Sequence, residues 1–293
     1  MKISIYSTGQ AFPLEGISIA EATQILTNFS STYESCIDLA TKLVVKKAAL
    51  PPTLRLQSIR SGSLDTILSL DFPMIYATLS PLLPAYASDI ISSKSWEIFY
   101  KLFEIVSVAS KIFKTLGRPA TFNFENCQDV IVNYNAGSGT ISAPKYMKKI
   151  LHKSQSDIND LSQLIKQNKI KNINMRSDIS PDEVKQFDNF FNLDEDNCED
   201  YSIHEVEELD DSIVEVSCKP YSINKNTGNG RLEYHDGTRW ISAINFTIES
   251  GNIHDYIDAM KQDSVTFQAR RKFMLTTLGE RRIAHLYLTG VQA

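Results

Sequence analysis

Metal binding and nucleophilic catalysis need His, Cys, Asp, Glu or Ser side chains at spacings that converge on one point. The five histidines, His152, His204, His235, His254 and His285, form no HxH, HxxxH or HExxH pair. His285 precedes Leu286 and Tyr287 in an alternating stretch and reads as solvent-facing or locally paired. Cys36, Cys127, Cys198 and Cys218 lie far apart without a CxxC pair, which indicates neither a zinc ribbon nor a disulfide framework. Asp194, Asp196, Asp200, Ser202 and Glu205 fall in the register of a calcium loop. Cys198 interrupts that register, and Glu199 stands where the loop needs glycine for its turn. Gly137-Ser138-Gly139 follows a strand but opens neither a P-loop nor a GxGxxG helix, so it reads as a hairpin tip. The GxSxG elbow is absent. The expectation is a protein that is not an enzyme, with no catalytic residues, no metal site and no cofactor.

Two charged features remain. Arg270, Arg271 and Lys272 lie on one strand of a C-terminal hairpin, and Arg281 and Arg282 on the other. They read either as a charged solvent face that protects a sheet edge, or as a cluster for phosphates or a carboxylate-rich partner. From Gln186 to Cys218 there are 12 acidic residues and no basic ones. Phe187, Phe190, Phe191 and Tyr201 interleave with them. Such a run is either a solvated linker or a docking arm. As an arm, its four aromatics would be the partner-binding anchors, with Asp194, Glu195, Asp196, Glu199 and Asp200 steering a basic partner.

The elements that carry these residues follow from periodicity. Ile19, Ile25, Phe29, Tyr33, Ile37 and Val44 mark an amphipathic helix over 18–47, opened by a Ser18/Glu21 capping box. Residues 54–60 and 64–70 alternate around Ser61-Gly62-Ser63, a hairpin. Residues 73–93 are apolar but broken by proline and read as short helical turns. A second helix spans about 96–116, before Gly117 and Pro119. A further hairpin covers 129–143, and a Ser154/Asp157 cap predicts a helix through Gln167. Residues 166–212 are rich in Asn, Asp, Glu and Lys and read as a linker or arm. Strands follow at 213–218, 231–235 and 238–248, with an Asp236-Gly237 turn. A helix near 252–262 and a hairpin around Gly279-Glu280 end the chain. Phe267, Phe273, Tyr287 and Leu288 read as core.

The predicted fold is α+β. A helix-on-sheet lobe (1–150) precedes a helix with an acidic linker or arm (151–212) and a small antiparallel β domain with one helix (213–293), either a barrel or a curled sheet. The 293 residues suit two domains. The net charge of −5 hides an uneven distribution. Residues 1–185 carry 20 basic and 16 acidic side chains, and residues 219–293 carry 10 and 7, so two mildly basic lobes flank the acidic run. The N-terminus lacks the apolar core of a signal peptide, and no stretch is long enough to span a bilayer. A cytoplasmic protein with no membrane partner is expected.

The opening strand, long helix and hairpin with Ile59-Arg60-Ser61-Gly62-Ser63-Leu64 resemble the start of an uncharacterised two-lobed family of bacterial and phage proteins. The ending is similar to that family's C-terminal β module: Asp236-Gly237, Ile241 to Ile248, Val265-Thr266-Phe267 and Ile283 to Leu288. The family transfers no catalytic residues. In length, composition and two-lobed plan the chain is also similar to phage-encoded inhibitors of the Gabija anti-phage defence complex. That resemblance implies a non-enzymatic homo-oligomer that binds a host nuclease complex and blocks it by steric occlusion. The alternative is a nucleic-acid- or nucleotide-binding module using Arg270, Arg271, Lys272, Arg281 and Arg282.

Overall fold

The computed structural model describes residues 2–9, 17–45, 52–60, 64–71, 84–135, 137–178 and 190–291. The chain is α+β and divides into two compact units, Met1–Ile203 and His204–Ala293.

In the first unit β1 (Lys2–Gly9) is followed by α1 (Ile19–Val45). The capping box forms as its residue types require. The Ser18 N–H donates to Glu21 Oε2 at 3.0 Å, and the Glu21 N–H to Ser18 Oγ at 3.2 Å. β2 (Thr53–Arg60) and β3 (Leu64–Asp71) pair antiparallel. α2 spans Pro84–Leu116, longer than its apolar stripe predicts. Proline is tolerated at the first helical position, where no intrahelical N–H is needed. The expected short turns over 84–93 therefore belong to this helix; those over 73–83 lie outside the described residues. β4 (Thr121–Glu125), β5 (Ile131–Asn135) and β6 (Ser138–Pro144) form a small sheet, with β4 parallel and β5 antiparallel to β6. α3 (Met147–Lys166) starts seven residues before the expected cap. Ser154 is buried within it rather than capping it.

The main sheet runs β2-β3-β1-β7-β8, with β7 at Ile170–Ser177 and β8 at Phe190–Asp194, all neighbours antiparallel. Alternation places Ile3 and Ile5, Thr66 and Leu68, Ile173 and Met175, and Phe191 and Leu193 on its buried face. The helices pack their apolar stripes on that side. Phe29 and Tyr33 of α1 stack at 5.4 Å, and Phe99 and Phe103 of α2 reach Phe191 of β8 at 6.3 and 4.4 Å.

The linker expected over 166–212 is therefore replaced by structure wherever the chain is described. Its Asn, Lys and Asp residues are the outer positions of β7 and β8, while Ile170, Ile173, Met175 and Leu193 point inward. Composition averaged over both faces hides this alternation. A 3-10 turn, Cys198–Tyr201, completes the unit. The unit boundary at 203/204 differs from the three segments read from sequence. The 151–212 segment is split between the two units.

The second unit is a closed five-stranded barrel ordered β9-β10-β11-β13-β12. β9 (Glu205–Ile223) starts eight residues before the expected strand. β10 (Asn229–His235) and β11 (Trp240–Ile248) flank the Asp236-Gly237 turn, in which Asp236 Oδ1 accepts the N–H groups of Thr238 and Arg239 at 2.8 and 2.9 Å. α4 (Ile253–Ala259) leads to β12 (Val265–Thr276) and β13 (Arg281–Val291). β11 and β13 close the barrel in parallel, and the remaining pairs are antiparallel. This order, with its helix between the third and fourth strands, is the Greek-key topology of an OB-fold. Leu232, Phe246, Phe267, Leu286 and Leu288 fill the barrel, and Tyr256 of α4 stacks on Phe267 at 5.7 Å. Among the described residues no helix is long and apolar enough to cross a membrane.

Candidate functional site

The basic hairpin is brought together as its spacing suggests, but not as an open patch. β12 lies between β9 and β13, so no sheet edge needs protection there. Arg271 reaches Asp210 at 2.8 Å, Lys272 reaches Glu207 at 2.6 Å, and Arg282 reaches Glu205 at 2.8 Å. Arg281 pairs with Glu208 at 3.3 Å, and Arg270 pairs with Glu249 and Asp211. The cations read as a charged face or as a cluster for phosphates or carboxylates meet carboxylates of their own chain, mostly in the acidic run. The C-terminal part of the acidic run, Glu205 to Asp211, and the hairpin cations form one cluster of ion pairs.

The remaining acidic residues are also engaged locally. The Asp194 carboxylate accepts the N–H groups of Asp196 and Asn197 at 3.1 and 3.2 Å, closing the loop after β8. Asp200 pairs with Lys111 and Lys114 of α2 at 3.3 and 3.0 Å, and Glu199 with Lys166 of α3 at 2.7 Å. Glu195 and Asp196 stay exposed. The 3-10 turn is fastened from beneath, since Ser162 Oγ donates to the Cys198 carbonyl at 2.8 Å. Cys198 and Ser202, the fifth and ninth positions of the calcium register, are buried. Among the described residues no group of three or more His, Cys, Asp or Glu side chains could hold a metal.

The proposed aromatic anchors part company. Phe187 lies outside the described residues. Phe190 is 48% exposed, whereas its neighbour Phe191 is 7% exposed and belongs to the core. Tyr201 packs against Phe103 at 5.7 Å and Phe191 at 5.6 Å, and burial pushes its hydroxyl up to about 12. They are not a free row of anchors, because β8 alternates and sends successive residues to opposite faces. Phe190, Phe191 and Tyr201 nevertheless line one surface pocket beside α2.

A second constellation escaped the sequence reading. On the outer face of β9, β10 and β11, Lys219 Nζ sits 4.2 Å from the centroid of the Trp240 ring. His235 meets the same ring edge-on at 5.0 Å. Tyr221 is 55% exposed, and its hydroxyl donates to Glu233, which draws that carboxyl down. Arg231 is exposed on β10 and donates from Nε to Asn245 Oδ1 at 3.2 Å. Two irregularities aim these groups. The β9–β10 register shifts beside Tyr221, and the β10–β11 register shifts at Ala243, a non-glycine residue at φ 60°. The alternation of Arg231, Glu233 and His235 against Leu232 and Tyr234 was the available signal. Trp240 was hidden because a bulge breaks the period that would have placed it. His285 pairs locally, its Nε2 lying 2.9 Å from Thr247 Oγ1.

No family model matches the chain, and neither a curated protein nor a solved structure is significantly similar to it.

Proposed function

We propose that this is a non-enzymatic binding protein whose C-terminal barrel holds a short run of single-stranded nucleic acid across β9, β10 and β11. The carrying observation is the outer face of the barrel, where Trp240 and Tyr221 stand exposed around Lys219. Single strands bind through aromatic platforms for their bases and cations that follow the backbone. Trp240 and Tyr221 supply platforms. Lys219 and Arg231 on this face, Arg239 in the turn between β10 and β11 and Lys225 in the loop between β9 and β10 supply the cations. In barrels of this topology the face of the second and third strands is the usual ligand surface, an analogy of fold that adds to the chemistry without replacing it. The reading keeps a nucleic-acid ligand but moves it away from Arg270, Arg271, Lys272, Arg281 and Arg282, each held by a carboxylate, to a face where, among the described residues, Lys219 and Arg239 make only long pairs, at 4.0 Å with Glu233 and 3.7 Å with Asp236, and Arg231 and Lys225 are exposed.

The test is fluorescence anisotropy of a labelled oligodeoxythymidine of about 12 nucleotides, within the usual site size of such barrels. Saturable binding at low salt that is lost in Trp240→Ala with Tyr221→Ala supports the proposal. Absence of binding, or equal binding by the double variant, overturns it. Binding of an oligosaccharide in its place also overturns it.

A second reading keeps the chain as a protein-binding inhibitor that occludes a larger host complex. What favours it is the convergence of Phe190, Phe191 and Tyr201 at one pocket, with Glu195 and Asp196 exposed on the loop that follows β8. A tagged chain carrying Phe190→Ala and Asp196→Ala should lose a partner that the unaltered chain retains during purification from its host. Retention of the same partner argues against this surface.

A further inference from the structure

We propose that the pocket between α2 and β8 binds an organic cation, an alkylammonium or guanidinium group, with Glu104 as its counter-charge and aromatic rings as its walls. The pocket has a volume of about 350 Å³. Tyr100, Phe103, Phe190, Phe191 and Tyr201 line it together with Glu104. Phe103, Phe191 and Tyr201 are mutually inclined by 56°, 58° and 78°, so their faces do not share one direction. Packed against one another at these tilts they make an aromatic wall, and a π surface attracts an ammonium group within about 6 Å of a ring centroid.

Glu104 distinguishes this pocket from a plain aromatic cluster. It is half-buried, and among the described residues its carboxylate has no hydrogen-bond or ion-pair partner. Its carboxyl is raised, by burial first and by the charge of Asp129, against a smaller pull downward from the charge of Lys101. Lys101 is not available as a partner. Its ammonium is held by Glu97 at 2.8 Å, by Asp129 at 3.1 Å and by the Gln128 carbonyl at 2.5 Å. Lys111, also at the pocket, is held by Asp200 at 3.3 Å. A desolvated carboxylate with no ion pair of its own among the described residues is unfavourable, and an incoming cation lowers that penalty. A neutral or anionic guest would leave it in place. The same pocket therefore selects by charge as well as by shape.

The inference stands on this pocket alone and does not depend on the barrel reading. Where the second reading holds, it names the group a partner inserts. Ligand-observed NMR titrations of the full chain test it with three probes: tetramethylammonium, a Gly-Gly-Arg-Gly-Gly peptide, and tert-butanol as a neutral molecule of similar shape. The expected result is saturable binding of at least one cation, no matching binding of tert-butanol, and a loss of about tenfold in Glu104→Gln. Phe190→Ala, an exposed position, should weaken the cation as well. Binding of the peptide alone assigns the cation to a partner's side chain, and preference for the free ion assigns it to a small amine. Equal binding of tert-butanol, unchanged affinity in a folded Glu104→Gln, or no saturation by either cation up to about 50 mM overturns the proposal.

Discussion

Arg271 donates to the Asp210 carboxylate at 2.8 Å, and the same two residues face each other in the register of β12 and β9. Around it Lys272 of β12 and Arg281 and Arg282 of β13 reach Glu207, Glu208 and Glu205 of β9 off the β12–β9 register. The five cations of the hairpin thus meet five of the acidic residues, Glu205, Glu207, Glu208, Asp210 and Asp211, when the barrel forms. Single exposed pairs of this kind contribute little, whereas Arg271–Asp210 joins two residues directly opposite in the register and so favours that alignment of β9 and β12.

Acid should weaken the barrel through this pairing. Hydrogen bonds from Ser212 and then Arg271 hold Asp210 down to about 2, against a usual value of 3.8. A carboxyl lowered on folding stabilises the folded state above its unfolded value and stops doing so as pH falls through the folded one. Denaturant midpoints should therefore fall between about pH 4 and pH 2. Asp210→Asn should make that fall shallower, as seen by circular dichroism.

The two adjacent phenylalanines should behave oppositely. Phe191→Ala removes a buried ring in contact with Phe99, Phe103 and Tyr201 and should destabilise the chain by about 3–5 kcal/mol. Phe190→Ala should cost no more than about 0.5 kcal/mol, since its ring is half exposed. Urea unfolding of both variants checks this. Equal costs would mean that β8 is not in the register described.

Gly230 is required for a steric reason rather than for its backbone freedom. A Cβ there would overlap the Ser222 carbonyl and the Phe246 ring, where β9 and β11 close on β10. Gly230→Ala should cost about 3 kcal/mol or more, at or beyond the upper end of ordinary overpacking. Hydrogen exchange on β10 and β11 should show the loss directly.

Salt dependence separates the two basic surfaces. If the Trp240 face holds the strand, Lys219, Lys225, Arg231 and Arg239 allow roughly four phosphate contacts, and log affinity should fall with log salt at a slope of about −3. Arg282→Ala should leave that affinity within about twofold, whereas Trp240→Ala should lower it by about tenfold or more. The reverse ranking would return the site to the hairpin.

Much of the local structure could be read directly. The stripe of α1, its Ser18/Glu21 box and the Asp236-Gly237 turn depend on neighbours within a few residues, and they form as their chemistry dictates. The α+β class and the core roles of Phe267, Phe273 and Leu288 follow from the same short-range periods, whereas Tyr287, also read as core, is only half-buried and lies beneath Arg270, because it alternates with the inward Leu286 and Leu288. Five-residue β8 did not reveal itself, because one turn of alternation inside an acidic segment resembles a linker.

Composition and order along the chain determined which charges exist and that two blocks of opposite sign are present. Only the tertiary structure decided that they meet each other. Arg271 and Asp210 are 61 residues apart, and no local period records which strand will lie beside which. Barrel closure makes that choice, because burying Leu232, Phe246 and Leu286 in one core forces β9 against β12 and β11 against β13. The same closure turns Trp240 outward over Lys219. Packing of the first unit leaves Glu104 without a partner among the described residues, in a ring-lined pocket. Sites of this kind arise from long-range packing of side chains whose sequence neighbours are ordinary.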